Sequence, residues 1–401
     1  MGHLTAGKSD LSELIPLIDR LNRYPVGLVD TPVLRELLSI LFTREEADLA
    51  AQFPLHEATL DELCQKTGKS SLELTPILES MAEKGLVTDM PFKGQTYYLL
   101  LPGVIGFFEF TFMKNRTDIP LDRVAKLMGA YFKSDRETGM AREFFGSQTQ
   151  MTRSLVYDTA VPTSSAVVSY QSARKIIAEA GGGAASMCYC RHQREHEGKT
   201  CRKGAPVEGI CLTVGKGAEF LVRRGFAEKK TTDELLAILE KAEALHLTHI
   251  TDNVRFKPTF ICNCCGCCCH IMEGVQGGYW EGIHKTPYRA VVEVEKCDYC
   301  GKCFQACNVG ALGLDKSHPL PDRRVTRADA EKCLGCGACV SACEQGALSL
   351  VARETYALPP KTKRDMFMRI AREKRRLGPL IVDRVHQKLK SALQAIQTNG
   401  D

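Results

Sequence analysis

Eighteen of the chain's nineteen cysteines fall between Cys188 and Cys343, and only Cys64 stands outside that stretch. Thiolates are ligands for soft metals, so their spacing is the first thing to read. They sort into two groups. One is an internal repeat: CDYCGKCFQACNVGALGL at 297–314 and CLGCGACVSACEQGALSL at 333–350 share every cysteine, a GAL triplet and a closing leucine at an offset of 36. Each copy reads C-x2-C-x2-C-x3-C. Three thiolates so close together wrap one metal body in a tight loop, and the fourth, a helical turn further on, points toward the body held by the other copy. The other group is Cys188, Cys190, Cys201 and Cys211, followed by the run Cys262, Cys264, Cys265, Cys267, Cys268 and Cys269.

The spacing in each copy is that of bacterial 4Fe–4S cubanes, and residues 288–352 are similar to dicluster bacterial ferredoxins. This reading predicts two 4Fe–4S clusters. Cys297, Cys300, Cys303 and Cys343 are the ligands of cluster A; Cys333, Cys336, Cys339 and Cys307 are those of cluster B. Gly301 and Gly335 let the backbone bend close to the metal body. The proline that usually follows the fourth cysteine is replaced by Asn308 and Glu344. Two zinc sites are the rival, but zinc prefers separated C-x2-C pairs.

The second group holds more thiols than one cubane needs, and neighbours on an extended segment point to opposite sides, so the run cannot all bind one metal. At least one further iron–sulfur cluster is expected. Its ligands come from Cys188, Cys190, Cys201 and Cys211, with Cys262, Cys264 and Cys265 as further candidates. A zinc tetrathiolate is the alternative, and redox-active or structural thiols are a third reading. Arg191, His192, Arg194, His196, Lys199, Arg202 and Lys203 crowd the same region, and cations favour thiolate. His249, His270 and His284 are further candidates as ligands or proton donors. Residues 166–350 resemble uncharacterised anaerobe proteins that carry a 4Fe–4S ferredoxin domain, through C-x-C-R-H and C-N-C-C-x-C-C-C. That resemblance implies electron transfer in anaerobic metabolism.

The elements that must hold these residues give a multidomain α+β chain. AVVSY at 166–170 and AASMCYC at 184–190 read as strands flanking the helix QSARKIIAEA, helices follow near 217–224 and 232–245, and LTHIT and TFICN read as strands. This alternation predicts a central Cys-rich α/β domain over 166–287, with cysteines at strand ends, before a ferredoxin-like dicluster domain over 288–352. Upstream, an apolar helix over Val33–Phe42 opens on Thr31-Pro32, TLDELCQKTG makes a capped short helix, and a third helix starts at Ser71 with Leu72, Leu74, Ile77, Leu78 and Met81 as its apolar face. LVTDM, the turn PFKGQ and TYYLLL follow as a hairpin. Residues 30–101 resemble a winged helix-turn-helix domain, and the N-terminal module is taken as 1–101. Residues 102–165 read as a Phe-rich helical connector, and 353–401 as a basic helical tail.

Charge tests the nucleic-acid reading that such a module invites. Between Thr59 and Leu101, Lys66, Lys69, Lys84 and Lys93 face Asp61, Glu62, Glu73, Glu79, Glu83 and Asp89, so this module lacks the basic face of a DNA reader and no nucleic-acid partner is expected. The tail carries twelve Lys/Arg against five Asp/Glu, a net of +7 in a chain of +5, which leaves about −2 for residues 1–352. Contact with a membrane surface is expected only through that tail, whose Leu380, Ile381, Val385, Leu389, Leu393 and Ile396 form an apolar stripe. The best membrane-spanning candidate, Tyr97–Met113, is broken by Pro102, Gly103, Gly106 and Glu109. A cytoplasmic protein without an export signal is therefore expected. No G-x-G-x-x-G after a strand and no G-x-x-x-x-G-K-[ST] is present, so no nucleotide site is indicated. The function expected is an iron–sulfur electron-transfer protein or oxidoreductase subunit serving redox partner proteins. A redox-sensing regulator and a reductase acting on a small substrate at the extra cysteines are the alternatives.

Overall fold

A computed structural model describes residues 11–133, 137–161, 169–215, 217–315, 325–383 and 385. The chain is a mixed helix-and-sheet protein with two compact units: residues 1–111, 116–148 and 367–401 form one, and residues 112–115 and 149–366 the other.

The first unit begins with helices α1 (Ile15–Leu21), α2 (Pro32–Leu41) and α3 (Arg44–Gln52). Thr31 caps α2, its Oγ1 accepting from the Leu34 N–H at 3.1 Å, and Leu34, Leu37, Leu38, Leu41 and Phe42 are fully buried. Strand β1 (Ala58–Thr59), helices α4 (Leu60–Thr67) and α5 (Ser71–Lys84), and strands β2 (Val87–Phe92) and β3 (Gln95–Leu100) follow, with sheet order β1-β3-β2. Gly68 and Gly85 end the two helices in the left-handed conformation. Leu72, expected on the apolar face of α5, is 87% exposed; Leu74, Leu78, Met81 and Ala82 are the residues that pack. Leu72 lies in the first turn, where the helix has only begun to meet its neighbours. The hairpin turn is also tighter than the five residues expected. Lys93 and Gly94, both at positive φ, join β2 to β3 directly.

The phenylalanines of the 102–165 stretch are largely core of this same unit. Phe107 packs edge-on against Phe42 at 5.4 Å between ring centroids, and Phe108 meets Phe132 at 5.9 Å. Phe107 stands just before helix α6 (Phe108–Thr111), which Phe108 opens; Phe132 ends α7 (Leu121–Phe132), and α8 (Met140–Phe145) follows. Near the C-terminal end, Glu143 gathers Lys374 at 2.8 Å, Arg376 at 2.5 Å and the Gly27 N–H at 2.8 Å. Of the expected tail stripe, Leu380, Ile381 and Val385 are described, with Ile381 and Val385 exposed; Leu389, Leu393 and Ile396 lie outside the described residues. Among the described residues no helix is long and apolar enough to cross a membrane.

The second unit is built on a six-stranded sheet, in the order β4-β8-β9-β6-β5-β7. Its elements run β4 (Thr152–Ser154), α9 (Ala173–Ala180), β5 (Gly183–Ser186), α10 (Tyr189–His196), β6 (Cys211–Val214), α11 (Gly217–Arg223), β7 (Ala227–Lys230), α12 (Thr232–Ala244), β8 (Thr248–Asp252), β9 (Phe260–Cys264) and α13 (His270–Gln276). Every strand pair is antiparallel. This corrects the α/β layer expected from the alternation of strands and helices. A parallel layer needs crossover connections, whereas β5 leaves the sheet at Ser186 and β6 returns at Cys211, its register partner. Ala166–Val168 of the expected first strand lie outside the described residues, and Ser169–Gln171 form a short 3-10 turn. Ile176 and Ile177 of α9, Leu235 and Leu239 of α12, and the sheet residues Leu212 and Ile261 form one buried cluster.

The repeat follows in the same unit. Strand β10 (Tyr288–Val292) pairs with β13 (Leu348–Ala352), and β11 (Leu312–Asp315) with β12 (Val325–Ala328). The short helices α14 (Lys302–Ala306) and α15 (Ala338–Ser341) occupy matching places in the two copies. Helix α16 (Lys363–Glu373) comes next in the chain.

Candidate metal centres

The strand register brings the second cysteine group to one end of the six-stranded sheet. Ser186 ends β5, so Cys188 and Cys190 begin the excursion that also carries Cys201 and returns at Cys211. One step beyond the β6–β9 register, Cys211 stands opposite Cys262, and their thiols touch. Cys264 ends β9, and Cys265–Cys269 lead into α13. Alternation along β9 turns Cys262 and Cys264 to one side and Cys265 to the other.

Ten thiols thus fall into two sets. In the first, Cys201, Cys265, Cys267 and Cys268 have their sulfurs all within 4.8 Å of one another. The Cys201 Sγ stands 3.6 Å from Cys265 and 3.8 Å from Cys267, and Cys267 stands 3.7 Å from Cys268. Thiolates about 2.3 Å from a tetrahedral ion stand about 3.8 Å apart, so these edges fit a single tetrathiolate ion, whereas a cubane spreads its four ligands more widely. Contacts with Cys265 and Cys268 hold the Cys201 thiol far below its usual range, with help from the N–H groups of Lys203 and Ala205. Hydrogen bonding to Cys201 pushes Cys265 up to about 12 and, together with Cys265, raises Cys268 as well.

The second set is a ring of six. Cys188 touches Cys190 and Cys211; Cys190 touches Cys269; Cys269 lies 3.4 Å from Cys264; Cys264 touches Cys262, and Cys262 touches Cys211. All six line a cavity of about 30 Å³. The pKa shifts alternate in direction around the ring. Cys188, Cys262 and Cys269 are depressed by hydrogen bonds from their neighbours, Cys262 to about 6. Cys190 is raised by burial and by Cys188, Cys211 by Cys188 and Cys262, and Cys264 by Cys262 and Cys269.

Arg191 lies between the two sets and is 2% exposed. Burial works against its charge, yet Cys188, Cys265 and Cys211 raise its pKa. Its Nη2 donates to the Asn263 carbonyl at 2.8 Å, and the Cys201 sulfur is a further hydrogen-bond partner of the guanidinium. The other expected cations act differently. Arg194 is tied to Glu197 at 2.8 Å and Glu273 at 2.6 Å, and Lys199 to Glu197 at 2.8 Å. His192 bonds the Phe112 carbonyl at 2.8 Å and stands 3.2 Å from His196, while Arg202 is exposed. His249 meets Asn263 at 2.6 Å and His270 meets Gln193 at 2.7 Å, so both are held by hydrogen bonds. Burial and Arg153 push His284 down to about 4.

The repeat cysteines gather in two groups of four. Cys303 is raised to about 11 by burial and by the neighbouring Cys297, Cys343 and Cys300. Cys307 leaves its own copy to line a cavity of about 20 Å³ with Cys333, Cys336 and Cys339. The GAL triplets explain themselves here. The Ala311 N–H donates to the Cys307 sulfur at 3.2 Å and the Ala347 N–H to Cys343 at 3.3 Å, the same bond in both copies. Ala290 donates to Cys333 at 3.4 Å and the Thr248 hydroxyl to Cys336 at 3.7 Å. Gly335, at φ +70°, is where only glycine fits, since a Cβ would stand 2.1 Å from the Tyr288 carbonyl oxygen.

One residue joins the repeat to the second group. Asn308, where ferredoxins carry proline, is 3% exposed. Its Oδ1 accepts from the Gly266 N–H at 3.1 Å, and its Nδ2 donates to the His246 carbonyl at 2.8 Å and the Thr248 hydroxyl at 3.0 Å. Gly266 lies between Cys265 and Cys267 and is pressed so closely on the Asn308 carbonyl that a Cβ would come within 2.5 Å. Lys203 spans the same junction, donating to the carbonyls of His246 at 2.9 Å and Ala306 at 3.1 Å and facing Cys265, Cys336, Cys307 and Cys267. At the matching position of the second copy, Glu344 makes only an exposed pair with Lys302 at 2.6 Å.

Cys267, Cys268 and Cys269 stood outside the ligand candidates read from sequence, although their place in the run was the available signal. Among the families compared, the 4Fe-4S dicluster domain matches residues 296–347. No curated protein matches the chain.

Proposed function

We propose that the chain is an iron–sulfur electron-transfer protein in which the dicluster region exchanges electrons with the Cys-rich centre at the end of the six-stranded sheet. The match to the 4Fe-4S dicluster domain and the clustered thiols support an iron–sulfur role. In this reading Cys297, Cys300, Cys303 and Cys343 hold one 4Fe–4S cluster, and Cys333, Cys336, Cys339 and Cys307 hold the other. Cys201, Cys265, Cys267 and Cys268 hold one tetrahedral ion, which takes part in the exchange as mononuclear iron; zinc, which the same donor set suits, has no redox chemistry and would only hold the fold. Bound clusters supply one-electron transfer.

The observation that carries the reading is the Asn308–Gly266 junction, because it sets the peptide after Cys307 against the peptide between Cys265 and Cys267. Fe–S potentials respond to hydrogen bonds at sulfur and to burial, and the amides of Ala311 and Ala347 supply that tuning alike in both copies. The helix pair α4–α5 with the β2–β3 hairpin is read as a winged-helix module used for docking a redox partner protein. Its acidic charge is the support, since DNA binding draws on basic surface.

The test is Cys300→Ala in the full chain, purified anaerobically and reduced with dithionite for EPR. One cubane signal should disappear while the metal of the Cys-rich centre stays. Loss of every metal would overturn the division into separate centres.

A further inference from the structure

We propose that Cys188, Cys190, Cys211, Cys262, Cys264 and Cys269 together hold a polynuclear iron–sulfur centre of their own, separate from the ion held by Cys201, Cys265, Cys267 and Cys268. This adds a site to the relay reading and does not depend on it.

Geometry comes first. The six sulfurs form a closed ring in which each touches two others, and all six face one cavity. They arrive from four places in the chain: the start of α10, the start of β6, the end of β9 and the start of α13. Thiols used as apolar filler close-pack against aliphatic neighbours. Here they surround about 30 Å³ of space, more than the about 20 Å³ that Cys307, Cys333, Cys336 and Cys339 surround in the repeat.

Ligand count comes second. Four thiolates saturate a tetrahedral ion, and four saturate the corners of one cubane. Six exceed both, so a body bound by all of them must present more metal positions than either. The Cys201 tetrad is a different set of sulfurs, although its Cys265 and Cys268 border the same cavity. Cys264 and Cys265, like Cys268 and Cys269, are adjacent residues that face different sets.

Charge comes third. Thiolates and sulfides make an anionic body. Arg191, almost wholly buried, lines the same cavity, and its charge is favoured by Cys188 and Cys211 of the ring as well as by Cys265 and Cys201 of the tetrad. A guanidinium is costly in a protein interior unless an anion faces it.

The test is iron, zinc and acid-labile sulfide per chain on the full-length protein, purified anaerobically, with Cys188→Ser, Cys264→Ser and Cys267→Ala beside it. The wild type should carry about four or more sulfides beyond the roughly eight of two cubanes. Cys188→Ser and Cys264→Ser should each remove at least half of that excess, with matching iron. Cys267→Ala should remove one metal ion and no sulfide. If these variants do not fold, the wild-type sulfide count decides alone. Sulfide of about eight, or wild-type iron and sulfide in both serine variants, would overturn the proposal. Failure of the relay reading looks different, because it shows in the sulfide that Cys300→Ala removes, which Cys264→Ser leaves in place.

Discussion

Replacing Asn308 with alanine tests the junction where it is narrowest. The side chain is 3% exposed and makes three hydrogen bonds. Its loss strands the half-buried Gly266 N–H, which has no other acceptor among the described residues, at a cost of about 1–2 kcal/mol. The His246 carbonyl keeps Lys203 as a donor, and the Thr248 hydroxyl keeps the Cys336 sulfur as its acceptor, so each loses about 0.5 kcal/mol. The sum is about 2–3 kcal/mol. For a unit of this size that lowers the melting temperature by about 4–12 °C. The assay is anaerobic thermal unfolding followed by visible iron–sulfur absorption. The repeat provides its own control, since Glu344→Ala at the equivalent position breaks only an exposed ion pair and should stay within about 0.5 kcal/mol. A shift for Asn308→Ala no larger than that for Glu344→Ala would refute the claim that this side chain docks the repeat on the Cys-rich centre.

Gly266→Ala should damage the same junction from the other side. Its Cβ must displace the Asn308 backbone, so we expect about 1–3 kcal/mol of destabilisation and poorer retention of the tetrathiolate ion, read by metal analysis after gel filtration; wild-type metal content and melting would contradict this. In the first unit, burial pushes the Glu143 carboxyl up but hydrogen bonds from Arg376 and Lys374 pull it further down, to a net value below its ordinary 4.5. A depressed carboxylate stabilises fully above its unfolded value and loses that contribution as pH falls through the folded one. Glu143→Gln should therefore speed hydrogen exchange at the Gly27 amide at pH 7 by about 2 kcal/mol, with the gap closing below about pH 4.5; a gap independent of pH would contradict it. Finally, Lys66, Lys69 and Lys93 changed together to alanine should leave any retention of the full chain on duplex DNA unaltered, and a salt-dependent loss would revive the regulator reading.

The ligand-bearing repeat was legible because its spacing is local: three residues and a turn of helix set each cysteine by sequence distance alone. That adjacent thiols in the 262–269 run must part company was legible too, from alternation. Which partners each would meet was not, because Cys188, Cys190 and Cys211 reach the run only through the sheet order β9-β6-β5, a non-local choice. The same holds for Asn308, visible as a departure from the usual proline but without a partner until Gly266 lies against it. The strand–helix alternation misled on the kind of layer, since a segment that leaves and returns at the same end of the strands looks in sequence like a crossover. Leu72 shows the limit of periodicity, which marks a face but not where packing on it begins.

The most direct measurement on the central claim is the number of electrons the full-length chain accepts in an anaerobic reductive titration with EPR at each step. Two cubanes take about two electrons. The account predicts at least one more, entering a centre whose signal is lost in Cys264→Ser and kept in Cys300→Ala. Uptake of about two electrons, unchanged by Cys264→Ser, would contradict it.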